Sequence, residues 1–144
     1  MISKLEKKTR TTFHKIHLDQ ISNKTSFDKV ATLYNFKNLK LSKSYFKNKI
    51  CADLGCGSAG TGAYNLFQLG AKFVHLVDLD KNIKISIKKN LKKYSKNIKI
   101  HIQSIEKTNF PDNYFDFILC QGVIHHAKDP KKCISEIKRI LKPR

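Results

Sequence analysis

The residues best suited to chemistry cluster between positions 53 and 80. Gly55-Cys56-Gly57-Ser58-Ala59-Gly60 forms a glycine turn, which lets a backbone bend sharply and approach a ligand where a Cβ would collide. Its spacing fits G-x-G-x-x-G, so a dinucleotide site is one reading. Asp53, two residues before the first glycine, argues for another. A carboxylate there repels a pyrophosphate seated on the turn, whereas a positively charged ligand meets no repulsion. Asp78 ends the next apolar run, where its carboxylate can accept from both hydroxyls of a ribose. The two acids together describe a site for an adenosine that carries a cationic group in place of a diphosphate.

Such a site needs strands that end at the acids and helices that leave them. Ile50-Cys51-Ala52-Asp53-Leu54 is a short apolar run stopped by the glycines, as a buried strand is. Residues 60–69 follow as a helix, with Gly70 in the C′ position. Phe73-Val74-His75-Leu76-Val77 is a second strand, closed by Asp78-Leu79-Asp80. Asp80 is placed to cap a helix with Ile83, Ile87, Leu91 and Tyr94 on one stripe. Residues 98–102 alternate at period two as a third strand, and residues 115–120 read as a fourth. Asp129-Pro130 opens a last helix, with Cys133, Ile134, Ile137, Ile140 and Leu141 assigned to its apolar face. Before the first strand, Phe27, Val30, Ala31 and Tyr34 recur at helical spacing behind Ser26 as a cap. Phe27 and Tyr34 either help to cover the ligand or simply cover the core. Strands alternating with helices mean a parallel sheet with helices on both faces, an α/β architecture. We divide the chain into a basic extension, 1–25, and one domain, 26–144.

Composition narrows the class. The chain has 144 residues and is 40% hydrophobic, enough for a packed core. No apolar run approaches the roughly 20 residues of a membrane span, and the N-terminus has no signal-type apolar core, so we expect a soluble, cytoplasmic protein. The net charge is +18, carried by 26 Lys and only 3 Arg spread along the whole chain. A dispersed lysine coat favours solubility and weak polyanion attraction, and keeps RNA open as a partner. Cys51, Cys56, Cys120 and Cys133 have no paired spacing with each other or with histidines, so neither a zinc site nor a disulfide framework is expected.

S-adenosylmethionine, with its ammonium and sulfonium, is a ligand of the form that the two acids select. Several further segments occur in a fixed order: Asp53-Leu54-Gly55-Cys56-Gly57, Leu76-Val77-Asp78-Leu79-Asp80, then Phe110-Pro111-Asp112-Asn113-Tyr114-Phe115-Asp116. Cys120-Gln121-Gly122-Val123-Ile124-His125-His126 follows, then Asp129-Pro130 and the helix ending Arg139-Ile140-Leu141-Lys142-Pro143. In this set, over residues 27–143, the chain resembles the class I S-adenosylmethionine-dependent methyltransferases, close to the type 11 and quinone-biosynthesis group. The resemblance implies a Rossmann-like fold with about four strands in the order 3-2-1-4. It implies that Gly55, Cys56 and Gly57 turn beneath the methionine part while Asp53 holds its ammonium. Asp78 would bind the ribose and Leu79 would pack on the adenine; Ser104 and Ile105 would meet the adenine edge, and Gln121 would line the methyl end. Ser104 stands where the family usually has an acid, and Ala59 where it commonly has a third glycine, with Gly60 and Gly62 just beyond.

The family's reaction is an in-line displacement on an already activated methyl, for which a base is needed only if the acceptor must lose a proton. By position, His125 and His126 are the candidates for that base, with packing and solvation as the alternative for the pair. The expected acceptor is an oxygen or carbon of a small molecule, such as a metabolite, a quinone precursor or a lipid-like compound. An RNA-modifying methyltransferase and a truncated cofactor-binding remnant without activity are the alternatives. The family's sheet has seven strands, so 1–144 reads as a fragment, its fourth strand an apolar edge that pairs with a missing segment or another chain.

Overall fold

The structure, a computed structural model, describes residues 32–143 and, before them, Lys4, Lys7, Lys8, Thr11 and Thr12. Most of the expected extension, and Ser26 to Ala31 of the first expected helix, lie outside the described residues. Tyr34 is half-buried against the core, and its carbonyl accepts from the Asn65 side chain at 2.8 Å. A short helix, α1 (Phe36–Leu39), is capped by Asn35 and ends at Lys40 in the left-handed region. Beyond it Phe46, with no exposed surface, meets Tyr45 and Phe117 edge-to-face at 5.1 and 5.0 Å.

Four parallel strands follow, in the order β3-β2-β1-β4. They are β1 (Ile50–Leu54), β2 (Phe73–Asp78), β3 (Ile98–Ile102) and β4 (Phe117–Leu119), so the expected order stands and the fourth strand is shorter than residues 115–120. Alternation sorts their side chains. Cys51, Val74, Leu76, Ile98, Ile100, Phe117 and Leu119 point to one face, where α2 (Thr61–Gln68) packs Ala63 and Leu66 and α3 (Ile83–Asn90) packs Ile83 and Ile87. Ala52, Leu54, Val77 and Ile118 point to the other, covered by α4 (Pro130–Ile140) and by Ile105, Phe110 and Phe115. Both faces are therefore dry, as parallel sheets require.

Local chemistry fixes the helix ends. Asp129 caps α4 through Lys132 N, with Pro130 in the first turn. Asp80 does not cap as the last residue before its helix; its Oδ1 instead accepts from Asn82 N at 3.0 Å, turning the chain into α3. After α3 a tighter 3₁₀ turn, Lys92–Asn97, lays Tyr94 flat on Phe67 at 4.2 Å. On α4 one expectation fails: Ile134 is 59% exposed, and Glu136 joins Cys133, Ile137 and Ile140 on the inner face. Just before β4, Phe115 bridges Leu141 in parallel, and Lys142 N donates to Phe115 O at 2.9 Å. None of the helices among the described residues is long and apolar enough to cross a membrane.

Candidate functional site

Sheet order and register bring the two acids together. β1 and β2 are neighbours with Leu54 opposite Val77, so Asp53 and Asp78 stand at adjacent strand ends. The glycine turn lies against them: Gly55 N and Cys56 N both donate to Val77 O, at 2.7 and 3.1 Å. Gly57 N donates to Asp78 Oδ2 at 2.9 Å, and Asp80 N to Asp78 Oδ1 at 2.9 Å. Asp78 is half-buried, and each of its oxygens keeps a second lone pair for a ribose hydroxyl.

Asp53 is 4% exposed, and its Oδ2 accepts from Ala63 N at 2.8 Å in the first turn of α2. Helix capping is thus part of its work. Burial pushes its pKa up to about 7, the Ala63 bond opposes that rise, and the Asp78 carboxylate adds to it. A cation beside it would reverse the main cost by supplying an opposite charge in a dry setting. Gly62 makes this seat possible, since a Cβ there would lie 2.6 Å from Asp53 Oδ2. Gly55 has φ +74°, and a Cβ on it would lie 2.2 Å from Val123 Cγ2. The segment after β4 therefore closes directly over the turn. Ser58 Oγ, inside the turn, is buried and has no hydrogen-bond partner among the described residues. An unanswered buried hydroxyl, two carboxylates and a backbone turn suit a polar, cationic nucleoside.

The other expected positions follow the ends of β2, β3 and β4. Leu79 is half-buried just past Asp78. Ser104 Oγ accepts from Glu106 N at 3.2 Å, and Ile105 is 7% exposed in the core on the α4 side of the sheet. Glu106 in turn accepts from Asp129 N at 3.0 Å, tying the end of β3 to the start of α4. Gln121 is exposed in the segment that carries Val123. A 3₁₀ turn, Ile124–His126, sets the His125 and His126 rings side by side at 3.9 Å, with His125 exposed and His126 half-buried. Burial and the neighbouring His125 lower the His126 pKa, which keeps the ring a neutral acceptor at pH 7.

Three of the thiols are held in the protonated form, which disfavours a nucleophilic role. Burial, then the charge of Asp53, pushes Cys120 up to about 11, while Cys51 rises to about 12. Cys56 also rises, burial being the first cause and Asp78 and Asp53 the next. Among the described residues no His, Cys, Asp and Glu cluster could hold a metal ion.

Comparison with known proteins identifies the family and the fold. A family profile described as "Methyltransferase domain" matches residues 52–144. A Campylobacter curvus protein named tRNA U34 carboxymethyltransferase is 31% identical over 97 residues, 66% of this chain and 32% of that protein. A Campylobacter fetus protein of the same name is 30% identical over 81% of this chain and 38% of its own length. The chain spans about a third of the length of these curated relatives. Among solved structures, a Methanococcus maripaludis protein described as an S-adenosyl-L-methionine-dependent methyltransferase superposes with TM-score 0.72 at 20% identity, over 97% of this chain and 61% of that one. The YcgJ protein of Bacillus subtilis gives TM-score 0.58 at 27% identity, over 66% and 40% of the two chains.

Proposed function

Because the chain belongs to the class I S-adenosylmethionine-dependent methyltransferase-domain family, we propose that its strand ends bind that cofactor and that the protein transfers a methyl-type group to RNA. The observation carrying the first half is the pairing of Asp53 and Asp78 at adjacent strand ends around the glycine turn. When bound, the cofactor supplies an activated carbon on a sulfonium. The chain contributes the rest. Asp78 accepts from the ribose, and the Gly55–Gly57 backbone lies under the amino-acid part. Asp53 balances the ammonium, and Ser58 Oγ offers a further donor. Leu79, Ile105 and Gln121 are the proposed adenine and methyl-end contacts. Holding the acceptor in line and excluding water supply most of the acceleration. For an acceptor that loses a proton, the neutral His126, or His125 beside it, is the proposed base.

The acceptor class rests on the relatives named for tRNA modification, which are matched over up to 81% of this chain, and on the charge of +18. The small-molecule acceptor expected from the sequence rests on resemblance alone, so the weight moves to RNA. Calorimetric titration with S-adenosylhomocysteine tests the cofactor half. Asp78→Ala should weaken binding about 10- to 100-fold, the range for a lost hydrogen bond to a charged group. Unchanged affinity in a folded variant, or displacement by NAD, would overturn it. Transfer of label from the cofactor to unfractionated tRNA by the full-length protein tests the acceptor half; label appearing only in small molecules would overturn that.

A further inference from the structure

The lysines are spread evenly along the sequence, but the acids are not. Between Asp80 and Glu106 there is no acidic residue, and residues 81–99 carry eight lysines, all exposed. Ile83 and Ile87 of α3 turn inward, so Lys81, Lys84 and Lys88, spaced at helical intervals, look outward. Lys92, Lys93 and Lys96 continue the strip along the 3₁₀ turn.

The strip departs from an ordinary solvated coat in three ways. Its charges carry a cost: Lys84 with Lys88, and Lys88 with Lys92, are like charges four apart, and Lys81 and Lys84 face the positive end of the α3 dipole with no acid in its first turn. No acid answers the strip: among the described residues the ion pairs all use Asp112, Asp116, Asp129 or Glu136, and none uses a lysine of 81–99. The strip also adjoins the site. α3 begins three residues after Asp80, and a Cβ on Gly60 would lie 2.7 Å from Ile87 Cδ1. Asn90 Nδ2 donates to Ala59 O at 3.1 Å, fastening the end of α3 to the glycine turn.

From this geometry we infer that the outer side of α3 and the following 3₁₀ turn is the surface on which the RNA backbone lies when its target nucleotide enters the site. This rests on the RNA reading above and adds the place of contact. Eight helical residues and six 3₁₀ residues give about 12 Å each of lysine-lined surface. One strand of a B-form DNA duplex carries a phosphate for every ~3.4 Å of helix axis, and on that scale several phosphates fit along the strip. Lysines without arginine forks suit sequence-independent phosphate contact. A lipid surface suits the strip less well, because the apolar side of α3 is committed to the sheet and Ile85, 82% exposed, is alone among the charges.

The test uses the full-length protein and unfractionated tRNA, with affinity measured across a salt series. One variant carries Lys84→Gln, Lys88→Gln and Lys92→Gln; a control carries Lys128→Gln, Lys131→Gln and Lys138→Gln, with the same loss of charge near α4. The first should lose about 10-fold or more in affinity and flatten the log–log salt slope by about 2 to 3, while S-adenosylhomocysteine affinity holds. The control should change each by much less. If the parent binds tRNA and both variants lose equally, the placement is overturned while the RNA reading stands. If the parent binds no tRNA at moderate salt, the RNA reading falls and takes the placement with it. Loss of binding to phosphatidylserine vesicles with tRNA affinity intact would assign the strip to a membrane and also overturn it.

Discussion

With its pKa pushed up to about 7 by burial, the Asp53 carboxyl is near its midpoint at neutral pH in the free protein. A cationic ligand beside it favours the ionised form, so binding must expel the proton from the protonated fraction. Affinity for S-adenosylmethionine should therefore rise as pH increases from 6 to 8 and level off above. Titration in buffers of different ionisation enthalpy should show a fraction of a proton released near pH 7. A flat profile with no proton release would place the ammonium elsewhere. Asp53→Asn, which keeps the Ala63 bond, should flatten the profile and lower affinity. The acid's position before the glycines was readable in the sequence, because a strand ending in a carboxylate is a local pattern. Its capping bond was not, because that needs the path of α2 and the missing Cβ of Gly62, ten and nine residues away in the chain.

The helix α4 holds its place through an acid rather than through apolar contact alone. Glu136, 9% exposed, accepts from Thr108 N at 2.7 Å and Thr108 Oγ1 at 2.6 Å, and pairs with Arg139 at 2.7 Å. Arg139 also reaches Asp112, so one cluster joins α4 to both ends of the 108–112 segment. The Arg139 bonds first, and the Thr108 bonds after burial's opposing effect, hold Glu136 down to about 2. That depressed value contributes stability in full above the ordinary glutamate range, lost as pH falls through 4.5 toward 2. Glu136→Ala should cost roughly 3 kcal/mol at pH 7, measured by urea unfolding, since it strands a buried hydroxyl and amide and half-frees an arginine. A cost below about 0.5 kcal/mol would mean that the cluster is ornamental. Periodicity alone read Ile134 into this face because apolar residues at 133, 134 and 137 fit a helix. It could not register that an acid with three donors arranged around it buries better than an isoleucine facing open water.

Across the whole molecule the layers divide the helices by role, with α2 and α3 framing the site from one face of the sheet while α4 and the 103–115 segment brace the other. The strands, their helices and the glycine turn were legible from βα alternation and apolar runs of strand length, whereas the strand order came from the family resemblance. Contacts between strands were not legible. His75 and His101 carry no pattern in the sequence, yet β2 and β3 pair in register with Val77 opposite His101, which puts the two imidazoles diagonally on one face. His75 Nδ1 and His101 Nε2 lie 2.9 Å apart, under Phe110, Tyr114 and Phe115, so one ring donates and the other accepts with both neutral. Burial first, and His101 next, lowers His75 to about 4, and burial lowers His101 as well. Between about 6.5 and 4 the unfolded chain thus binds protons that the fold refuses, and stability falls as pH falls through that window. For His75 the loss is on the order of 3 kcal/mol once the pH has fallen below about 4. Because His75 sits beneath the loop that joins β3 to β4, acid should open that side of the sheet before the glycine turn. Urea unfolding at pH 7.5, 6, 5 and 4.5 should show the decline, and His75→Phe, which suits the aromatic surroundings, should make it shallower. A decline of the same steepness in His75→Phe would move the acid sensitivity to other groups, and the paired imidazoles would then be packing alone.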